Sequence, residues 1–255
     1  MIDVSKLCFS YPRSGIMVLD GIDLECNDGS INILLGLNGC GKTTLIKALA
    51  GILRPKSGSI SYFGKDFLSL KVEERSKIVS YVPQNSEMTG DYLVSDYLSF
   101  STVNTLEFYQ SPGEEQKKKV EACMDRFGIT HLADKRLGEI SGGERQIVSI
   151  CAAMVQNTKI ILLDEPTSSL DLSNQNKILS LLKEIVAEED KTIFLSTHNP
   201  NHALYLNGQV FMMKGGKIID EGCASDVIEV ERLRVLYGDR ICYSKDLLYN
   251  EVSFR

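Results

Sequence analysis

The chain has 255 residues, 43% of them hydrophobic and 24% charged, and a formal net charge of −6. That length suits one large domain or a core carrying an inserted subdomain, and the mixture is that of an ordinary soluble globular protein. The acid excess argues against nucleic-acid binding, which needs a basic surface to displace counterions, but leaves room for a local phosphate site built from backbone amides and one lysine.

No apolar run approaches the roughly 20 residues that cross a bilayer. The start, MIDVSKLCFSYP, has no basic segment followed by an apolar one, so no signal peptide is expected. The seven cysteines are scattered, without a CxxC pair or a histidine at metal-ligand spacing. They are expected to be reduced thiols of a cytosolic protein.

In chain order, INILLGL at 31–37 is a short apolar run ending in glycines, and TTLIKALAGIL at 43–53 follows it with helical spacing. The segment EEQKKKVEACMDRFGI puts Val120, Cys123, Met124 and Phe127 on one helical face, and no buried strand is expected between 87 and 156. Lys117–Lys119, with Glu114, Glu115 and Glu121 around them, form a solvated face. KIILLDE at 159–165 is a second apolar run, ending in acids, and NKILSLLKEIVAEE at 176–189 is its helix. KTIFLSTH at 191–198 is a third, ending in a histidine. Continuous apolar runs of this length suit strands buried on both faces, and the alternation with helices predicts an α/β fold. In such sheets ligands collect at the C-terminal ends of the strands.

Those ends carry the chemistry. GLNGCGKTT, from Gly36 to Thr44, fits G-x-x-x-x-G-K-[ST] between a predicted strand and a predicted helix. Gly36, Leu37, Asn38, Gly39, Cys40 and Gly41 would turn their amides inward around phosphates. Lys42 would bridge the β- and γ-phosphates, the Thr43 hydroxyl would hold Mg²⁺, and Thr44 completes the loop. Lys42 and the amides are also expected to favour the Cys40 thiolate. Asp164 is placed to hold Mg²⁺ and Glu165 to orient or deprotonate the attacking water. His198 would lie on the same sheet edge, and Gln84, in YVPQN, would reach the metal or the water from a loop.

ISGGERQ, Ile140–Gln146, sets two glycines beside a helix-compatible run. Glycine costs a helix about 1 kcal/mol relative to alanine, so the pair needs another reason. Ser141 and bare amides at a helix N-terminus can grip a phosphate oxygen.

Together these residues resemble the nucleotide-binding subunit of an ABC (ATP-binding cassette) transporter, over nearly the whole chain and in the family's order. By that resemblance Tyr11 stacks on adenine, Gly36–Thr44 is the Walker A loop and Gln84 the Q-loop glutamine. SGGER is the signature, ILLDEP the Walker B strand, SSLD at 168–171 the D-loop and His198 the switch histidine. Ile140, Glu144 and Ser169 are small departures. The resemblance implies a P-loop NTPase core with a mixed, mostly parallel sheet over 1–86 and 157–225, an inserted helical subdomain over 87–156, and a short tail over 226–255. It implies ATP and Mg²⁺, and a head-to-tail dimer in which Ser141, Gly142, Gly143, Glu144 and Asp171 contact the other copy's nucleotide.

It also implies separate membrane permease subunits, an extracytoplasmic substrate-binding protein, and a place on the inner face of the cell membrane. The stretch LSTHNPNHALYLNGQVFMMKGGKIIDEG and the short tail are closest to importers of ferric siderophores, vitamin B12 and related metal or oxyanion cargo. DYLSFSTVNTLEFYQSP departs from the usual importer pattern. An exporter subunit, a soluble mechanical ATPase and a nucleotide-sensing module remain as alternatives.

Overall fold

The computed structural model describes residues 1–12, 15–84, 90–102 and 113–239, and the backbone of 241–245 and 250–254. Asn85, the 103–112 part of DYLSFSTVNTLEFYQSP and the side chain of Cys242 lie outside the described residues.

The chain opens with two strands, β1 (Ile2–Phe9) and β2 (Leu19–Cys26). After β3 (Ile31–Leu35) and α1 (Lys42–Leu49) come β4 (Ser57–Tyr62) and the two-residue β5 (Lys65–Asp66). These form an antiparallel sheet in the order β2-β1-β4-β5. Helix α2 (Val72–Ser76) leads into β6 (Val79–Val82). Three helices follow: α3 (Val94–Ser101), α4 (Glu114–Phe127) and α5 (Gly142–Val155). The chain then alternates β7 (Ile160–Leu163), α6 (Leu172–Glu189), β8 (Thr192–Thr197), α7 (Pro200–Leu206) and β9 (Gln209–Lys214). It closes with β10 (Lys217–Cys223), α8 (Ala224–Val227), α9 (Val230–Tyr237) and the hairpin β11 (Ile241–Lys245) and β12 (Asn250–Phe254).

The main sheet runs β10-β9-β3-β8-β7-β6, parallel throughout except for β10. Successive side chains of a strand point to opposite faces, so each run feeds two cores. Ile31, Ile33 and Leu35 of β3, Ile161 and Leu163 of β7, and Ile193 and Leu195 of β8 join one core with α5, α6 and α7. Leu34, Ile160, Leu162 and Phe194 join the other, with α1 and the antiparallel sheet. That two-sided burial is the reason these three strands read as unbroken apolar runs. The fold is α/β, as expected.

Element ends differ from expectation for local reasons. The first run stops at Leu35: the Gly36 amide makes the last bond to β8, to the Thr197 carbonyl, and the chain then turns into the loop. Helix α1 stops at Leu49; Gly51 has φ 70°, where glycine ends a helix at low cost. Helix α6 starts four residues early, because the Asp171 carboxylate accepts the Asn174 amide at 2.8 Å and caps it.

Between 90 and 156 the described residues contain α3, α4 and α5 and no strand. Val120, Met124 and Phe127 are buried on the predicted face of α4, with Cys123 half-buried beside them. Lys117 and Lys119 are paired with Glu114 and Glu115 at the surface. Beyond 225 the chain packs down: Val227, Ile228, Leu233 and Leu236 are buried in the same core as α5 and α6.

Candidate active site

Strands β3, β7 and β8 are neighbours in the sheet and end at one edge. That edge gathers the loop after β3, the acids after β7 and the histidine after β8. A cleft of about 450 Å³ opens there, lined by Tyr11, Val18, Asn38, Gly39, Gly41, Lys42, Thr43, Thr44, Gln84 and Glu165.

The loop has little room for side chains. A Cβ on Gly36 would stand 2.5 Å from the Met213 carbonyl and 2.7 Å from Cys40 Sγ. Gly41, at φ 113°, turns the chain so that its carbonyl accepts the Leu45 amide at 2.9 Å and α1 begins at Lys42. Lys42 Nζ donates to the Gly36 carbonyl at 2.8 Å and the Leu37 carbonyl at 3.2 Å, which folds the buried lysine back over its own loop. Leu37, Asn38 and Gly39 form the exposed rim.

Glu165 is the meeting point. Its Oε1 lies 3.1 Å from Lys42 Nζ. Its Oε2 accepts Gln84 Nε2 at 3.2 Å and meets His198 Nδ1 at 3.2 Å, a contact that requires the proton on Nδ1. Glu165 has φ 46°, a left-handed conformation that costs a side-chain-bearing residue about 1–2 kcal/mol. Its amide donates to Ser196 Oγ at 2.9 Å, which holds the turn. The Ser196 hydroxyl in turn donates to Asp164 Oδ1 at 2.7 Å. Asp164 is fully buried, and its Oδ2 has no hydrogen-bond partner among the described residues.

Tyr11, 40% exposed, stands edge-on to Phe9 and places its hydroxyl 3.1 Å from Thr44 Oγ1. Cys40 departs from expectation. Burial raises its thiol pKa, and this outweighs the lowering by Lys42, so the half-buried thiol is held protonated rather than activated.

Ser141, Gly142, Gly143, Glu144 and Asp171 line no part of this cleft. They sit together elsewhere: a Cβ on Gly143 would be 3.3 Å from the Ser169 carbonyl, two residues before Asp171. Ser141 Oγ accepts the Glu144 amide at 3.2 Å and Glu144 Oε2 accepts the Ser141 amide at 2.7 Å, a reciprocal cap at the start of α5. These Ser141 contacts hold the Glu144 carboxyl below its usual range. Gly142 is exposed, with open space where a Cβ would go.

Sequence reasoning missed four groups here. Ser196, polar inside a buried apolar run, was the visible signal of a bond to the acids. Val18, just before β2, joins the cleft because its carbonyl and Leu19 stand against Gly41 of the loop. His202 sits with Nδ1 3.2 Å from Thr197 Oγ1 and 3.4 Å from Thr167 Oγ1, and burial lowers its pKa to about 4. Tyr237, from α9, donates its hydroxyl to the His198 carbonyl at 2.8 Å.

A glycine-rich loop between strand and helix, facing a buried Asp-Glu pair, defines a P-loop nucleoside triphosphatase. The sequence pattern of the ABC transporter family matches residues 19–168, and the chain belongs to that family as an ATP-hydrolysing cassette. It is 30% identical to FepC of Escherichia coli K12, a ferric enterobactin transport ATP-binding protein, over 88% of this chain and 82% of that one. It is 28% identical to FhuC of Bacillus subtilis, an iron(3+)-hydroxamate import ATP-binding protein, over 92% of each. A transporter described as of metal-chelate type, solved in an inward-facing conformation, superposes with a TM-score of 0.84 at 27% identity, covering 100% of this chain and 96% of that one.

Proposed function

We propose that this cassette powers import of a metal chelate, a ferric siderophore, through a separate permease fed by an extracytoplasmic binding protein. The observation that carries the cargo is the similarity, along nearly the whole chain, to ATP-binding proteins named for ferric enterobactin transport and iron(3+)-hydroxamate import. Among the described residues no helix is long and apolar enough to cross a membrane, which agrees with a permease on other chains. The cassette would then sit on the inner face of the membrane. Residues 87–156, the helical insert, would dock on the permease, and the Gln84 loop would link that surface to the nucleotide. The nucleotide core would comprise 1–86 and 157–225, with 226–255 as a tail.

In this reading ATP occupies the cleft, with adenine on Tyr11 and phosphates in the loop from Gly36 to Thr44. Lys42 turns from its own carbonyls and Glu165 to the β- and γ-phosphates. Mg²⁺ neutralises phosphate charge when bound. The residues fit it: Asp164 offers an unpaired buried oxygen, and Thr43 and Gln84 line the cleft. Glu165 orients the attacking water and takes its proton. His198, already against Glu165, senses the γ-phosphate.

Ser141, Gly142, Gly143, Glu144 and Asp171 complete the site of a second copy packed head to tail. Their separation from the cleft of their own chain supports this. So does Gly142: among the described residues nothing stands within 4 Å of where its Cβ would be, which leaves room for the close approach of another molecule.

The test is co-purification with its permease, followed by reconstitution in liposomes. ATP hydrolysis should rise on adding the binding protein with a ferric siderophore. No response to iron, cobalamin or oxyanion cargo would overturn the import reading and leave the ATPase standing.

A further inference from the structure

We infer that Tyr237, at the end of the C-terminal helix α9, is a positioning residue for His198, so that the segment after 225 takes part in ATP hydrolysis. This rests on the reading of His198 as the γ-phosphate sensor. The His198 carbonyl belongs to no regular element. The β8 ladder ends one residue earlier, where Thr197 is opposite Leu35. Helix α7 starts at Pro200, and its first turn uses the Asn199 carbonyl, which accepts the His202 amide at 3.2 Å. The His198 carbonyl accepts instead from the Tyr237 hydroxyl at 2.8 Å. A carbonyl can only accept, so the phenol is the donor. Burial raises the Tyr237 pKa well above its usual value, so the donor keeps its proton at any working pH.

The phenol is aimed from a rigid base. Leu233 and Leu236 are buried in the main core. Lys214 Nζ bonds the Val235 carbonyl at 2.6 Å, and the Arg232 guanidinium holds both oxygens of Asp220 at 3.1 and 2.9 Å. His198 needs such support. Its side chain is 52% exposed, and among the described residues its ring bonds Glu165. With the backbone of residue 198 fixed from behind, the imidazole keeps its reach to the carboxylate and to an incoming phosphate. Without the phenol hydroxyl, water can satisfy the carbonyl, but the peptide is free to turn.

The test uses the full chain with Tyr237→Phe, which removes one oxygen and keeps the packing. Hydrolysis should fall by about 3–10-fold in kcat, with KM for ATP unchanged within about twofold and Tm within about 2 °C. In a His198→Ala background the same change should have no further effect, whereas a merely structural role would add its loss to both. The chain has three histidines, so His198→Ala also assigns the His198 ring in NMR spectra. Its resonances should shift in Tyr237→Phe. Unchanged ring signals, or unchanged kcat in Tyr237→Phe beside an inactive His198→Ala, overturn the inference. A fully active His198→Ala with shifted ring signals upholds the positioning and overturns the reading of His198 itself.

Discussion

The Lys42 ammonium lies 3.1 Å from the Glu165 carboxylate, and both side chains are buried. Two groups proposed to take opposite tasks, one for phosphate and one for water, thus form a buried ion pair. On the proposed reading, an incoming γ-phosphate competes with Glu165 for the lysine.

Glu165→Gln separates those tasks. Turnover should fall by about 10²–10⁴-fold, as expected when a positioned base is lost. Binding of ATP should tighten by about tenfold, since the lysine loses its anionic partner, which corresponds to about 1.4 kcal/mol. Single-turnover hydrolysis and equilibrium titration with a fluorescent nucleotide measure the two. Gel filtration with Mg-ATP should also show a dimer for the variant. Normal hydrolysis with monomer elution would remove Glu165 from this role.

Ser141 caps α5 and is assigned to the other copy's phosphate, and two substitutions part these roles. Ser141→Asp keeps a good N-cap, so Tm should change little, within about 1 kcal/mol of stability. It places a carboxylate where the other copy's phosphate is proposed to come, and hydrolysis should be lost. Gly142→Ala meets open space in the chain itself and should fold normally, with hydrolysis impaired at dimer-forming concentrations. Full activity in both variants would leave the start of α5 with a structural role alone.

Cys40 should be alkylated by iodoacetamide at neutral pH more slowly than a free thiol, because burial raises its pKa above the ordinary value. Mass spectrometry of the modified peptide, timed with and without ATP, reads this directly. Faster labelling than free cysteine would show that Lys42 and the loop amides dominate after all.

His202 predicts a pH dependence of stability. Its pKa is lowered from 6.5 to about 4, by burial first and by His198 second. The unfolded chain therefore binds a proton that the folded chain refuses. Stability is fully present above about pH 6.5 and is lost as the pH falls towards 4. Between about pH 7 and about pH 5 the loss from this group should be of the order of 2 kcal/mol. Urea unfolding of the parent and of His202→Gln at both values gives the difference; an equal loss in both would assign the acid sensitivity elsewhere.

Much of this protein is written locally. The run from Ile31 into Gly36–Thr44 specifies strand, loop and helix within a dozen neighbours, because glycine conformations and two-sided burial are local demands. The acids after Leu163 and the histidine after Thr197 were legible for the same reason: each ends an apolar run. Strands β1, β2 and β4 were not read, since their exposed faces break the apolar runs and their pairing is set by distant partners. The Glu165 turn, with its positive φ, depends on Ser196 from the neighbouring strand.

Only tertiary structure brought Lys42, Gln84, Glu165 and His198 within hydrogen-bond reach, across sequence gaps that no local pattern spans. It also set Cys123 Sγ 3.0 Å from Cys151 Sγ, although the cysteines look scattered along the chain. Likewise, it decided the Cys40 balance, because the sequence shows the charge beside a thiol but not how much water the fold removes. The C-terminal helix illustrates the same limit. The sequence read it only as part of a short tail; that Leu233 and Leu236 are buried and Tyr237 ends against His198 follows from how α9 packs on the rest of the chain.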